Sequence, residues 1–117
     1  MTAAPHVPLI RSARRGAAGR LRDALLRLAE YKAQVLEHGE TPWASITYTG
    51  ARHGFTLLFA GAEAVEAGER FIAELAEHEF AIAGQLVADA EVVEVEHRVA
   101  TAPRLVVRCE VLMLQDA

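Results

Sequence analysis

From Gly19 to His38 the apolar residues Leu21, Leu25, Leu28, Tyr31, Val35 and Leu36 recur at three- and four-residue steps, with Arg22, Asp23, Arg27, Glu30 and Gln34 between them. Residues so spaced share one helical face, so this pattern predicts an amphipathic helix over 19–38. Gly39 supplies a left-handed stop, and Thr41-Pro42 blocks continuation. The period then shortens to two. Trp43–Thr49 sets Ile46 and Tyr48 on one side and Ser45 and Thr47 on the other, and Phe55, Leu57 and Phe59 alternate again beyond a Gly50–Gly54 break. Two alternating runs around a glycine-bounded loop predict a β-hairpin.

A second helix is predicted from Ala62 to about His78, with Val65, Gly68, Phe71, Ile72 and Leu75 as its buried stripe. Gly68 within that stripe implies a close packing contact, because a mid-helix glycine otherwise costs up to about 1 kcal/mol against alanine. Glu66 and Arg70, four apart, are placed to pair across one turn. Phe80–Arg98 reads as a long strand with Ile82, Leu86, Ala88, Ala90 and Val92 in one phase and Val93, Val95 and His97 in the other. A slip of one residue turns every later side chain to the opposite face, so a β-bulge is expected near 91–93. After a turn at Ala100–Pro103, Arg104–Leu114 returns with Leu105, Val107, Cys109, Val111 and Met113 in phase.

The resulting order is α-β-β-α-β-β. Moving the last strand to the front gives the ferredoxin-like order, so the expected architecture is α+β, in a permuted ferredoxin-like arrangement. A four-stranded antiparallel sheet carries two helices on one face, with the final strand beside the first.

Length and composition bound what such a domain does. A chain of 117 residues, 52% hydrophobic, fits one domain with its own core and an expected radius of gyration of about 13 Å. No apolar run is long enough to span a bilayer, and the single cysteine, Cys109, excludes an internal disulfide. Charge is uneven along the chain. Residues 1–38 carry seven Arg/Lys against three acids (+4), and residues 39–117 carry five against thirteen (−8), which sum to the overall −4. The division expected is a flexible basic arm over 1–16 and a single domain over 17–117. Pro8 and Arg11 interrupt the short apolar stretch Val7–Ile10, so the arm lacks a secretory pattern and a cytoplasmic location is expected. No aromatic residue is interleaved with the arm's arginines, and the acidic body repels phosphates, so a nucleic-acid partner is not expected.

Two helices cover only one face of a sheet, and the alternate-phase residues of these strands include several large apolar groups. Trp43, Thr47, Leu58, Val106, Leu112 and Leu114 are therefore the expected interface residues, with a homodimer or another protein as cover and the chain's own arm or first helix as the competing one. The chemical search yields little. Cys109 falls in the apolar phase of a strand, and neither Ser12 nor Ser45 lies in a Gly-x-Ser-x-Gly turn. His53 falls in the expected hairpin loop, and Glu74 and His78 sit four apart on one helix. No histidine belongs to a His-x-His or His-Glu-x-x-His motif. No catalytic residue, cofactor or metal ligand is therefore assigned. Asp89, Glu91, Glu94 and Glu96 read as a charge row protecting a strand edge. The leading expectation is a non-catalytic association module. The alternative is a small-molecule-binding protein or weak enzyme whose pocket lies between sheet and helices, with Tyr48, Glu91 and His97 as its polar contacts.

Overall fold

The computed structural model describes residues 16–99 and 101–116, and the expected arm lies outside these apart from Gly16. The chain runs α1 (Ala17–Leu28), β1 (Gln34–Ala44), β2 (Thr49–Ala60), α2 (Ala62–Glu74), a 3₁₀ turn (Leu75–Glu77), β3 (Gln85–Arg98) and β4 (Arg104–Gln115). This is the α-β-β-α-β-β order expected. The four strands form one antiparallel sheet in the order β1-β2-β4-β3, the ferredoxin-like order once β4 is counted first. The final strand does not lie beside the first: β4 sits between β2 and β3. Its inward residues Leu105, Val107, Cys109, Val111 and Met113 are all buried, as suits a strand covered along its whole length.

The first helix is shorter than its periodicity predicts. It ends at Leu28, and Glu30 and Tyr31 take left-handed backbone conformations with φ of 60° and 57°. Two consecutive non-glycine residues there are strained, and local bonds hold them. The Tyr31 amide donates to the Leu26 carbonyl, and the Arg70 guanidinium grips the Glu30 carboxylate in a bidentate pair at 2.7 and 2.9 Å. Arg70 thus ties α2 to the end of α1, and Glu30 rather than Glu66 is its hydrogen-bonded partner. Val35 and Leu36, counted above in the helical stripe, belong to β1. That strand continues through Gly39 and Pro42, a residue that an edge strand tolerates. The hairpin turn is correspondingly at Ser45–Tyr48, closed by the Ser45 amide on the Tyr48 carbonyl, with Ile46 fully exposed at its tip.

β3 begins at Gln85 rather than Phe80, and the segment before it still buries Ile82. Its register shifts between Val92 and Glu94, where the phase slip places a bulge, and again between Val87 and Asp89. The earlier shift puts Leu86 on the outward face and Val87 inward, reversing the expected phase there.

Both helices pack on the same side of the sheet. Leu21 and Leu25 of α1 and Val65 and Phe71 of α2 join Phe55, Leu57 and Phe59 of β2 and the inward residues of β4 in one cluster. Each fully buried phenylalanine or leucine contributes about 1.5–3 kcal/mol of transfer free energy. With a single helix layer the molecule is a slab of 46 × 38 × 20 Å, and its radius of gyration is 15.4 Å, above the value expected for a compact sphere-like chain. Gly68 explains how α2 comes so close: a Cβ there would stand 2.7 Å from Leu105 Cδ2 and 2.9 Å from the Phe59 ring. Gly61, with φ of 98°, turns the chain from β2 into α2, and its amide donates to the Pro103 carbonyl of the neighbouring hairpin. Cys109 lies in this core at 1% exposure, and burial, with Glu110 behind it, pushes its thiol from 9.0 up to about 12.

Two predictions follow from the core. Gly68→Ala, despite the better helix propensity of alanine, lowers the unfolding free energy by about 1–2 kcal/mol in urea titration, because overpacking outweighs propensity. Equal or greater stability would show that Leu105 and Phe59 yield freely. The Cys109 thiol stays unmodified by a disulfide-exchange reagent in the folded chain at mildly alkaline pH and reacts fully after denaturation.

Candidate functional site

Residues facing each other across an antiparallel sheet share a face, so the register sorts every side chain into helix-covered or outward. Three outward rows frame the open face. Trp43, Gly50, Leu114 and Leu86 form one end; Glu37, Thr56, Arg108 and Glu94 cross the middle; Leu58, Val106 and Glu96 lie toward the other end. The face is thus apolar at the Trp43 end, polar across the middle and mixed at the far end, where Leu58 and Val106 adjoin Glu96, Arg98 and Arg104. Within the belt, Thr56 Oγ1 donates to Glu37 Oε1 at 3.2 Å and Arg108 Nη1 donates to Glu94 Oε1 at 3.0 Å. Glu91 and Glu110 stand directly opposite one another, a like-charge pairing that an exposed sheet face normally avoids. Gly39 and Gly54 are paired in the same region, and a Cβ on either would meet nothing within 4 Å. They help line a shallow groove of about 560 Å³ with Glu37, Thr56, Arg108 and Glu110.

Five of the six expected interface residues, Trp43, Leu58, Val106, Leu112 and Leu114, lie on this outward face. Thr47 does not, because it sits in the β1–β2 turn rather than in a strand. Leu114 is already 5% exposed within the chain and adds little free area. The three expected ligand contacts do not converge. Tyr48 is in the hairpin turn, Glu91 is outward on β3, and His97 pairs with Leu105 near the far end of the sheet. Leu114 and Leu105 mark those ends on β4, nine residues or roughly 30 Å apart. The polar contacts imagined for a pocket between sheet and helices therefore belong to separate regions.

One constellation was not legible in the sequence. His53, expected in the hairpin loop, lies within β2 on the helix-covered side at 2% exposure. Glu40 of β1 is directly opposite it, and His38 is two residues along β1 on the same face. His38 Nε2 and His53 Nδ1 are 3.0 Å apart, sharing one proton between a donor and an acceptor nitrogen, and His53 Nδ1 is 3.9 Å from Glu40 Oε1. The His38 ring stacks on Phe55 at 4.0 Å between centroids. Burial pushes the His38 imidazole below its ordinary value, with His53 and Arg22 adding to the effect and Glu40 opposing it; burial does the same to His53, again against Glu40. Both rings are therefore neutral at neutral pH. The only signal the sequence held was the alternation of His38 and Glu40, which the false helical reading of that stretch concealed. His78 stands apart from this cluster: α2 ends at Glu74, and beyond the 3₁₀ turn the His78 ring meets Phe80 edge-on at 4.6 Å.

No helix among the described residues is long and apolar enough to cross a membrane. No family model and no curated protein matches the chain. Among solved structures, a chain of the virion of a native gene transfer agent particle superposes with a TM-score of 0.57 at 11% identity, covering 86% of this chain and 93% of that one. The type 4 fimbrial biogenesis protein PilO from Pseudomonas aeruginosa is a more distant match, with a TM-score of 0.40 at 14% identity over 80% of this chain and 64% of that one. The first of these shows that the fold is shared with a known protein.

Proposed function

We propose that this domain is a non-catalytic association module whose working surface is the outward sheet face, and that a second copy of the chain covers it. The observation that carries this reading is that both helices occupy one side of the sheet, leaving Trp43, Leu58, Val106 and Leu112 facing outward with no covering element among the described residues. Four strands about 4.8 Å apart and roughly eleven residues long present ~700 Å² per copy, so a face-to-face pair would bury about 1,400 Å², within the range of stable interfaces. The similar chain in the gene transfer agent particle belongs to a protein assembly, a setting that accords with such a role.

The acidic belt sets the character of the contact. Arg52, Arg98, Arg104 and Arg108 against Glu37, Asp89, Glu91, Glu94, Glu96 and Glu110 give the face four positive and six negative charges, a net −2. Two such faces repel, and burying carboxylates costs free energy unless they are paired, so the centre of the interface stays hydrated and association is reversible. The charge pattern also favours a second reading. Residues 1–15 contain Val7, Leu9 and Ile10 followed by Arg11, Arg14 and Arg15, and no acid, which complements a face of net negative charge that also carries apolar patches. In that reading the chain's own N-terminal residues cover the face, and α1 begins near Gly50 and Gln115, at the end of the sheet that carries Trp43.

Sedimentation velocity over a wide concentration range tests both. The full chain shifts from monomer to dimer, Leu58→Glu and Val106→Glu each weaken the dimer at least tenfold, and added salt strengthens it by screening the like charges. Trp43, the single tryptophan, reports the same event by a blue shift in emission as concentration rises. A chain that remains monomeric at about millimolar concentration, with constant Trp43 emission, sinks the dimer. Removing residues 2–15 separates the readings: deletion leaves dimerisation unchanged if a second copy is the cover, whereas it provokes association and a red shift of the monomer if the N-terminal residues are.

A further inference from the structure

We propose that His38, His53 and Glu40 form a binding site for a first-row divalent cation, Zn²⁺ above all, at the edge of the helix layer and on the opposite side of the sheet from the docking face. Two imidazoles and one carboxylate are the donor types of open, three-ligand zinc sites. Zn–N and Zn–O bonds of about 2.0–2.1 Å in a tetrahedron set donor atoms roughly 3.3 Å apart. The three donors here already lie within 4.8 Å of one another, with the two closest pairs at 3.0 and 3.9 Å. Binding replaces the His38–His53 hydrogen bond: the ring that donates takes its other tautomer, and both imidazoles turn so that their lone pairs converge on the ion beside Glu40. The backbone is ready for this: His38 and Glu40 project from the same face of β1, and β2 holds His53 against them in the part of the ladder, Glu37 to Ala44, that follows the bulge. The buried His53 and the stacking of His38 on Phe55 limit the rotamers that the ligands would lose on binding.

The site also has a free position. Glu40 and His53 line a surface depression of about 250 Å³ with Ala17, Ala18, Thr49 and Gly50, room for a water to complete the tetrahedron. Opposing the cation are Arg22, whose charge reaches His38, and the positive N-terminal end of α1 beside the depression. Bound metal would clasp the edge strand β1 to β2.

Titrating the full chain with Co²⁺, then displacing it with Zn²⁺, tests the assignment. The expected result is one Co²⁺ per chain, with the intense visible bands of tetrahedral coordination, and quantitative bleaching by Zn²⁺. His38→Gln and Glu40→Gln, both at positions open enough to tolerate exchange, each reduce affinity at least tenfold while circular dichroism stays unchanged. Independently of any variant, long-range ¹H–¹⁵N spectra of the wild-type chain show Zn²⁺ shifting the ring nitrogens of His38 and His53 and leaving His78 and His97 in place. Absence of stoichiometric binding at about 10 µM metal overturns the site. So does binding that shifts other histidines or survives both substitutions. The outcome is separate from that of the docking test, since none of these residues faces outward.

Discussion

The pairing of β2 with β4 is the constraint on which the rest of the molecule rests. It runs through eleven consecutive partners, Gly50↔Leu114 to Ala60↔Arg104, without a bulge, whereas the pairings of both outer strands are interrupted. Two strands distant in sequence meet here, β4 with an inward row from Leu105 to Met113 and β2 with Phe55, Leu57 and Phe59, and burying both rows together requires a cover. Each strand pair is joined by a short hairpin and each is preceded by a helix, so this central pairing brings both helices to the same side. Gly68 then lets α2 settle directly on Phe59 and Leu105, one residue from each central strand.

A single helix layer makes the two faces of the sheet physically different. Under the helices the sheet is dry enough to hold the Cys109 thiol protonated and to keep two histidines neutral. On the open side it carries apolar residues around Trp43 and around Leu58 and Val106, with glycines and charges between them and arginines at the far end. The outer strands manage their unpaired edges differently. β3 has two bulges and four carboxylates, which twist and charge its edge, while β1 has one bulge and Pro42. These devices discourage strand addition along the edges and leave the open face as the broad surface available for contact. The like-charged Glu91 and Glu110 at its centre are a local conflict that intramolecular stability does not explain.

Sequence and structure agree where one physical signal dominates. β4 and the second half of β2 are alternating apolar rows with no competing reading, and α2 carries a clean helical stripe. The bulge at Val92–Glu94 was visible because a phase slip leaves a permanent mark on every later residue. They diverge where a segment satisfies two patterns. Leu28, Tyr31 and Val35 continue a helical spacing, yet Gln34–Ala44 gains a full ladder of hydrogen bonds to β2, a gain no local pattern records. That choice moved the hairpin turn from Gly50–Gly54 to Ser45–Tyr48 and carried His53 from a supposed loop into a buried strand. The polar inward positions His38 and Glu40 hid the alternation of β1, since a strand at the rim of the helix layer need not be apolar on its covered face.

Composition and periodicity were enough to determine the α+β class, the number and order of most elements, the apolar rows that build the core and the surplus of apolar groups outside it. These depend on contacts within one element, which a linear pattern encodes. The end of α1, the place of β4 between β2 and β3, the division of charge across the open face and the meeting of His38, Glu40 and His53 were decided only on folding. Each depends on which strands become neighbours, and that is settled by the joint burial of residues far apart along the chain.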